Sequence, residues 1–239
     1  SGKLKTKASK HSVRQLMESG IQADFFVCRT EHKIPKEQRA KLAQFCNVSL
    51  ENVIECMDLD TIYEVPLYLQ KQNFDDVVLD VLDLKNDKEA DLKNWKEFLR
   101  KYRHPKKSVE IALIGKYVSL QDSYKSISES FIHAGAAQEI EVKVRWIYSG
   151  ELTAENVEDE LKGVDGMLIA PGFGDRGIEG KILAAKYARV NKIPMLGICL
   201  GMQIMTIEFA RNVLNLTKAN SVEFATGTEK PVIALMEEQ

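Results

Sequence analysis

The sequence predicts an α/β protein built from two doubly wound, parallel-sheet units, both of them incomplete. Short apolar segments alternate with segments of helical spacing along most of the 239 residues, and this alternation is typical of parallel strands connected by helices. One polar and charged stretch, at 82–107, interrupts the alternation. Because domains commonly contain about 100 to 200 residues, a chain of this length accommodates two of them.

The first half is predicted to hold two short strands among helices. The expected segments are helix 12–17, strand 24–28, helix 36–45, strand 53–57 and helix 62–69, followed by an amphipathic helix at 91–102. Pro66 is expected to kink the third helix or to delay its start. A basic segment that contains Pro105 then gives the predicted linker, 104–108, so that the expected domains are 1–103 and 109–239.

The second half shows a regular strand–helix cycle. Its expected segments are strand 109–115, helix 123–137, strand 142–147, helix 155–161, strand 166–170, helix 178–190, strand 195–198, helix 200–211 and a strand beginning in the apolar run 231–236. This order is typical of Rossmann-like or flavodoxin-like units, in which ligands bind at the carboxyl ends of the strands.

Composition favours a cytoplasmic protein that binds neither membranes nor nucleic acid. No apolar run approaches the roughly 20 residues of a membrane span, and the net charge of −2 gives no overall attraction to nucleic acid. The cysteines show no CxxC pair and no metal-ligand spacing, so we expect a reducing compartment and no metal site in this chain. Three of them, Cys28, Cys46 and Cys56, lie in apolar segments and are expected in the core.

Both ends of the sequence indicate an internal piece of a longer chain. Residues 1–7 lack the apolar core of a signal peptide and enter a helical pattern almost at once. The apolar run at 231–236 reads as a strand that stops soon after it begins.

A candidate nucleophile lies between a predicted strand and a predicted helix, in the G-x-C-x-G pattern of Gly197, Cys199 and Gly201. In a nucleophile elbow, small residues two positions before and after the nucleophile avoid clashes in the tight turn. The helix N-terminus favours the thiolate, and the N–H of Leu200 is a natural oxyanion donor. Taken alone, the pattern fits a buried core cysteine equally well.

A glycine-rich loop at 170–177 strengthens the nucleophile interpretation. It follows the preceding predicted strand, and loops after neighbouring strands of a doubly wound sheet face the same crevice. The N–H of Gly172 is therefore expected to complete the oxyanion hole opposite Cys199. The alternative is an ordinary connection between a strand and a helix.

Three segments together resemble the glutaminase domain of CTP synthases: 172–177, 196–203 and 220–224. The middle motif is shared by class I glutamine amidotransferases, whereas the third segment, with 115–117 and 122–126, narrows the resemblance to CTP synthase. The resemblance implies that Cys199 attacks the glutamine carboxamide and releases ammonia through a glutamyl thioester. It places the glutamine pocket at Gly172, Leu200, Gly201, Met202, Gln203 and Glu223. A carboxylate such as Glu223 suits the glutamine α-ammonium, the alternative being a solvated surface glutamate.

The first half resembles the synthetase domain of the same family. The resemblance implies contacts with UTP or CTP at Lys5, Thr6, Lys7, Ala8, Ser9, Lys10 and Lys41, and with ATP at Arg29 and Asp58. Lys10 departs from the glutamine that the family usually has there. Without the resemblance, each of these charges would be interpreted as a solvated residue on a helix or loop.

The activity that the resemblance implies is a ligase reaction of pyrimidine nucleotide biosynthesis, in which ATP drives the amination of UTP to CTP. It also implies Mg²⁺, GTP as an allosteric activator and a homotetramer. The resemblance further implies a P-loop and, after the nucleophile, a His and a Glu of the catalytic triad. No P-loop is present in this sequence, and His11, His32, His104 and His133 all precede Cys199. We therefore expect this chain alone to be inactive or nearly so. The alternatives are another class I amidotransferase and a non-catalytic nucleotide-binding or assembly fragment.

Overall fold

A computed structural model describes residues 7–84 and 88–236, which form two compact units divided after Leu99. The division lies within one helix, Lys93–Arg103, a few residues before the predicted linker. Within the described ranges, no helix is both long and apolar enough to cross a bilayer.

The first unit contains a two-stranded parallel sheet and the helices around it. Its elements are α1 (Lys7–Glu18), β1 (Phe26–Thr30), α2 (Lys36–Cys46), β2 (Val53–Met57), a 3₁₀ turn (Ile62–Glu64), α3 (Val65–Gln70), α4 (Phe74–Val81) and the start of α5 (Lys93–Arg103). Phe26 pairs with Val53 and Thr30 with Met57. A small core of Leu42, Ala43 and Val53 packs α2 against this sheet.

Several predicted boundaries in the first unit were wrong. The predicted helix at 62–69 is a 3₁₀ turn followed by α3, because Pro66 suits the first turn of a helix but not its interior. Helix α4 was missed, since three aspartates interrupt the apolar positions of its short sequence. Cys46 is buried as predicted. Cys28 and Cys56, on β1 and β2, are only half-buried, because a sheet of two strands is narrow and its faces are incompletely covered.

An aromatic cluster joins the 3₁₀ turn to α5. The Tyr63 ring packs edge-on to Phe98 with centroids 5.0 Å apart, and the Trp95 indole N–H donates to the Tyr63 carbonyl at 2.7 Å. These contacts explain why the predicted amphipathic helix forms here with its apolar face buried.

The second unit is a four-stranded parallel sheet against which the connecting helices pack. Its elements are β3 (Lys107–Gly115), a 3₁₀ turn (Gln121–Tyr124), α6 (Lys125–Gln138), β4 (Ile140–Tyr148), α7 (Val157–Leu161), β5 (Gly166–Ile169), α8 (Ile178–Val190), β6 (Met195–Gly197) and α9 (Leu200–Asn212). Two more short parallel strands, β7 (Ala219–Ser221) and β8 (Lys230–Ile233), pair with each other. The predicted mixed α/β class with parallel sheets is confirmed.

The strand order β4-β3-β5-β6 determines where a ligand site can form. Strand β3 has neighbours on both sides, and the chain proceeds from β4 on one flank to β5 on the other, which is the flavodoxin-like switch point. The β5–β6 pair brings Ile169 opposite Gly197. The loops that follow these two strands therefore begin side by side at the carboxyl edge of the sheet.

Candidate active site

Cys199 occupies the turn between β6 and α9 in a conformation that non-glycine residues rarely adopt. Its backbone has φ 53° and ψ −109°, and the residue is exposed. Such a conformation costs on the order of 1–3 kcal/mol and persists only where the surrounding structure enforces it. The strained turn presents the thiol to solvent at the start of a helix, which is the geometry of a nucleophile elbow.

The two glycines of the G-x-C-x-G pattern are required by close backbone packing. A Cβ atom on Gly197 would lie 2.5 Å from the carbonyl oxygen of Gly201 and 2.7 Å from the nitrogen of Met202. A Cβ atom on Gly201 would collide with the carbonyl oxygen of Ile169 at the end of β5. Glycine at both positions therefore lets the first turn of α9 approach the strand ends closely enough to form the elbow.

The glycine-rich loop after β5 lies beside the elbow. The Ile198 N–H donates to the Ile169 carbonyl at 3.1 Å. The Cβ position of Gly172 would lie 3.6 Å from Leu200 Cδ2, which shows that the loop contacts the residue after the nucleophile. The structure thus brings Gly172 and Leu200 together, although the sequence separates them by 28 positions.

The N–H of Leu200 is available as a donor. The amides of Gly201, Met202 and Gln203 donate to the carbonyls of Ile198 and Cys199 at 2.9, 3.0 and 3.4 Å. No acceptor for the Leu200 amide is recorded within 7–84 and 88–236. A free amide at the N-terminus of α9 suits a developing oxyanion.

Two lysines hold the glycine-rich loop, and sequence reasoning assigned neither of them a role. Lys181 Nζ donates to the Ala170 carbonyl at 3.0 Å, and Lys116 Nζ donates to the Phe173 carbonyl at 3.1 Å. Lys181 is 1% exposed. Burial, with a smaller effect of Lys116, lowers the pKa of the Lys181 ammonium to about 8, against an opposing effect of Cys199. The Lys181 amine is therefore mainly in its protonated, ammonium form at neutral pH.

Tyr124 supports the first segment of the site. Its hydroxyl accepts from the amides of Lys116 and Tyr117 at 3.0 and 3.3 Å, and a Cβ on Gly115 would lie 2.7 Å from the same oxygen. These contacts give the segments 115–117 and 122–126 a shared structural role at the end of β3.

Gln203 and Glu223 meet beside the elbow. Gln203 Nε2 donates to Glu223 Oε2 at 3.3 Å. The Gln203 Oε1 atom is buried and has no hydrogen-bond partner in the described part of the chain, so a polar partner is missing there. Met202 is 55% exposed, whereas Leu200 and Gly201 are buried. The residues predicted to bind glutamine thus lie around one end of α9.

In the first unit, the structure pairs the two residues predicted to contact ATP. Arg29 Nε donates to Asp58 Oδ1 at 3.0 Å, with both side chains largely exposed. They line a cavity of about 330 Å³ together with Leu59, Thr61 and Ile62. Since Arg29 lies near the end of β1 and Asp58 follows β2, the cavity lies at the carboxyl edge of this parallel sheet.

The described lysines predicted to contact UTP or CTP, Lys7, Lys10 and Lys41, lie on α1 and α2. Lys7, Ala8, Ser9 and Lys10 form the first described turn of α1, and Lys5 and Thr6 lie outside the described residues. The Lys10 ammonium lies 5.1 Å from the centre of the Phe45 ring, a cation–π contact. Phe45 follows Lys41 by one turn of α2, so Lys10 and the exposed Lys41 lie on neighbouring helix faces.

Comparison with known proteins identifies the family. Residues 119–234 match the family described as glutamine amidotransferase class-I, and residues 1–84 match the CTP synthase N-terminus. The chain belongs to the CTP synthase family. The predicted resemblance is thereby confirmed over both halves of the chain.

Individual relatives agree with this assignment. The chain is 56% identical over 236 residues to the CTP synthase of Cytophaga hutchinsonii, covering 99% of this chain and 44% of that protein. It is 52% identical over 238 residues to that of Caldanaerobacter subterraneus, covering 100% of the chain and 44% of the relative. The chain therefore spans less than half the length of these curated relatives.

A solved structure resembles part of the chain. It is the glutaminase domain of Trypanosoma brucei CTPS with bound acivicin, at 38% identity and a TM-score of 0.52. The similarity covers 54% of this chain and 50% of that one. At this identity the likeness supports the class I amidotransferase fold.

Proposed function

We propose that the protein containing this chain is a CTP synthase that aminates UTP with ammonia released from glutamine at Cys199. The observation that carries the proposal is the strained, exposed Cys199 at the start of α9, beside Leu200 and the Gly172 loop. A core cysteine, the alternative that the sequence left open, would be buried and would need no such backbone geometry.

The glutaminase step follows from this geometry. The Cys199 thiolate attacks the carboxamide carbon of glutamine, and the carbonyl oxygen becomes an oxyanion that accepts from the Leu200 and Gly172 amides. The C–N bond then breaks as the general base returns the proton taken from the Cys199 thiol to the leaving nitrogen, ammonia departs, and water hydrolyses the thioester to glutamate. The family resemblance implies a general base that follows Cys199 in a His-x-Glu arrangement, and none of the four histidines of this chain follows Cys199.

The glutamine pocket is proposed to use Gln203, Glu223, Gly201 and Met202. The Glu223 carboxylate suits the α-ammonium of glutamine, with which it would form a charge-assisted hydrogen bond. The buried, unpartnered Gln203 Oε1 offers a second acceptor for an N–H of the ligand. Both acceptors lie beside the turn that carries the nucleophile, as a bound γ-carboxamide requires.

The nucleotide sites are proposed on the first unit. Lys7, Lys10 and Lys41, on α1 and α2, supply cations for the UTP or CTP triphosphate. ATP is proposed at Arg29 and Asp58, because an exposed ion pair contributes only about 0–1 kcal/mol and is easily exchanged for a ligand.

Several broader properties complete the proposal. ATP would bind with Mg²⁺, whose ligands we expect outside this chain, and GTP would act as the activator. The assembly would be a homotetramer. All four cysteines are free, which suits the reducing cytoplasm.

The test is the intact protein with Cys199→Ala, compared with Cys28→Ala as a matched control, since Cys28 does not line the cavity proposed for ATP. We expect Cys199→Ala to abolish ammonia release from glutamine and glutamine-driven CTP formation, while CTP formation from added ammonium salt persists. Cys28→Ala should retain both activities. Undiminished glutaminase activity in Cys199→Ala would refute the nucleophile. Ammonia release without CTP formation in the wild type would favour a different class I amidotransferase.

A further inference from the structure

Lys181 combines a buried charge with a position beside the proposed oxyanion hole. Lys181 lies in the first part of α8 and is 1% exposed. Lysine side chains on helices ordinarily extend into solvent. Burying an ammonium is costly unless it is hydrogen-bonded, and its recorded acceptor is the neutral carbonyl of Ala170. No carboxylate pairs with Lys181 among the residues that the structure describes. Stability alone does not explain such a residue.

The contacts of Lys181 converge on one loop. Its Nζ atom bonds the Ala170 carbonyl, two residues before Gly172, and lies 3.9 Å from the Cβ position of Gly172. Lys116 Nζ donates to the Phe173 carbonyl, one residue after Gly172. Lysine ammonium groups therefore hold the carbonyls that precede and follow Gly172 in the chain, and of the two lysines Lys181 is the buried one.

We infer that Lys181 is a positioning residue for the glutaminase reaction, which fixes the Ala170–Gly172 backbone so that the Gly172 amide is aimed at the oxyanion formed at Cys199. The inference rests on the proposed function. Its chemistry requires no contact between Lys181 and glutamine, because the ammonium acts on the backbone that carries the donor. A mispositioned donor weakens binding of the tetrahedral transition state more than binding of the substrate.

The Lys181→Met variant tests this inference in the intact protein, with Lys186→Met as the matched control. Met keeps the unbranched chain up to the ε position and removes the amine, and Lys186 is exposed on the same helix. Losing one oxyanion donor costs about 10²–10³ in kcat. We expect a displaced donor to lower glutaminase kcat by about 10- to 100-fold, with the KM for glutamine changed less than about three-fold.

Two thiol probes separate positioning from folding. Iodoacetamide alkylates Cys199 by displacing iodide and forms no oxyanion, whereas the γ-aldehyde analogue of glutamine adds the thiol across its C=O bond and places an oxyanion in the hole. In Lys181→Met, the dissociation constant of the aldehyde should rise about ten-fold or more, and by a clearly larger factor than the alkylation rate falls, since loss of the Lys181 cation also acts electrostatically on Cys199. Lys186→Met should resemble the wild type with both probes.

A second variant keeps the test decisive if Lys181→Met is poorly folded, as thermal melting would show. Lys181→Gln retains an N–H donor and should recover part of the aldehyde affinity that Lys181→Met loses. Equal losses of aldehyde affinity and alkylation rate would make Lys181 merely structural and overturn the inference. Unchanged kcat and aldehyde affinity would do the same. Absence of aldehyde binding in the wild type would instead count against the proposed glutaminase itself.

Discussion

At the scale of single residues, the site depends on groups held in costly states. Cys199 has a strained backbone at φ 53°, and Lys181 is a cation with 1% exposure. Each costs stability by itself, so the fold must compensate through the packing of β5, β6, α8 and α9. Costs of this kind concentrate at functional sites, and here both lie on the same side of the second unit's sheet.

The four cysteines are expected to differ in reactivity. Burial raises the pKa of the Cys28 thiol and that of the Cys46 thiol, whereas Cys199 is exposed at a helix N-terminus. We expect iodoacetamide at pH 7 to label Cys199 at least about ten-fold faster than Cys28 or Cys46. Peptide mass spectrometry over a time course measures the rates. Comparable labelling of Cys46 in the folded protein would contradict the assignment of Cys199 as the activated thiol.

At the scale of elements, the local pattern of apolar residues predicted the bounds of a helix or strand well where the element is buried on both sides or its apolar residues recur at a regular period. The predicted helix at 178–190 has the bounds of α8, and the strand at 53–57 has those of β2. Strand β7 was missed because Ala219–Ser221 contains one apolar residue, whereas the equally short β6 lies in the apolar segment 195–198. The elbow was predictable since its glycines lie only two positions before and after the nucleophile.

The role of Lys181 was not predictable from its residue type, because a lysine in a helix is ordinarily solvated. A signal was nonetheless present. Ile178, Ala184 and Ala185 are buried at helical spacing from Lys181, which places the lysine on the apolar stripe of α8. Its partner, the Ala170 carbonyl, belongs to the loop after β5, and no periodicity within α8 indicates that contact.

The junction of β5, β6 and α9 should tolerate no side chain at Gly201. In Gly201→Ala, the new methyl group would overlap the Ile169 carbonyl, and separating the two elements should cost about 1–3 kcal/mol and displace Cys199. We expect a lower melting temperature and a loss of glutaminase activity. Gly227→Ala is the control, since nothing lies within 4 Å of its Cβ position. A Gly201→Ala protein with wild-type stability would show that the helix does not pack so closely.

At the scale of the whole molecule, the proposed chemistry is divided between two units that the chain forms on either side of Leu99. The first carries Arg29, Asp58 and the lysines of α1 and α2, and the second carries Cys199 with its oxyanion donors. Family similarity extends over both units, with residues 1–84 matching one domain family and 119–234 the other. Damage to one half-reaction should therefore leave the other measurable.

Lys41→Ala tests this division from the nucleotide site: it should impair the use of UTP and spare glutamine hydrolysis, whereas Cys199→Ala should do the reverse. Losing a charge-assisted phosphate contact costs about 1.5–3 kcal/mol, so the KM for UTP should rise roughly ten-fold or more. The rise should be the same whether glutamine or ammonium salt supplies the nitrogen, and glutamine hydrolysis without nucleotides should be unchanged. Lys36→Ala is the control, because Lys36 lies five residues earlier on a different face of α2. An increased KM for glutamine but not for UTP would place Lys41 in the wrong half-reaction and refute the proposed nucleotide site.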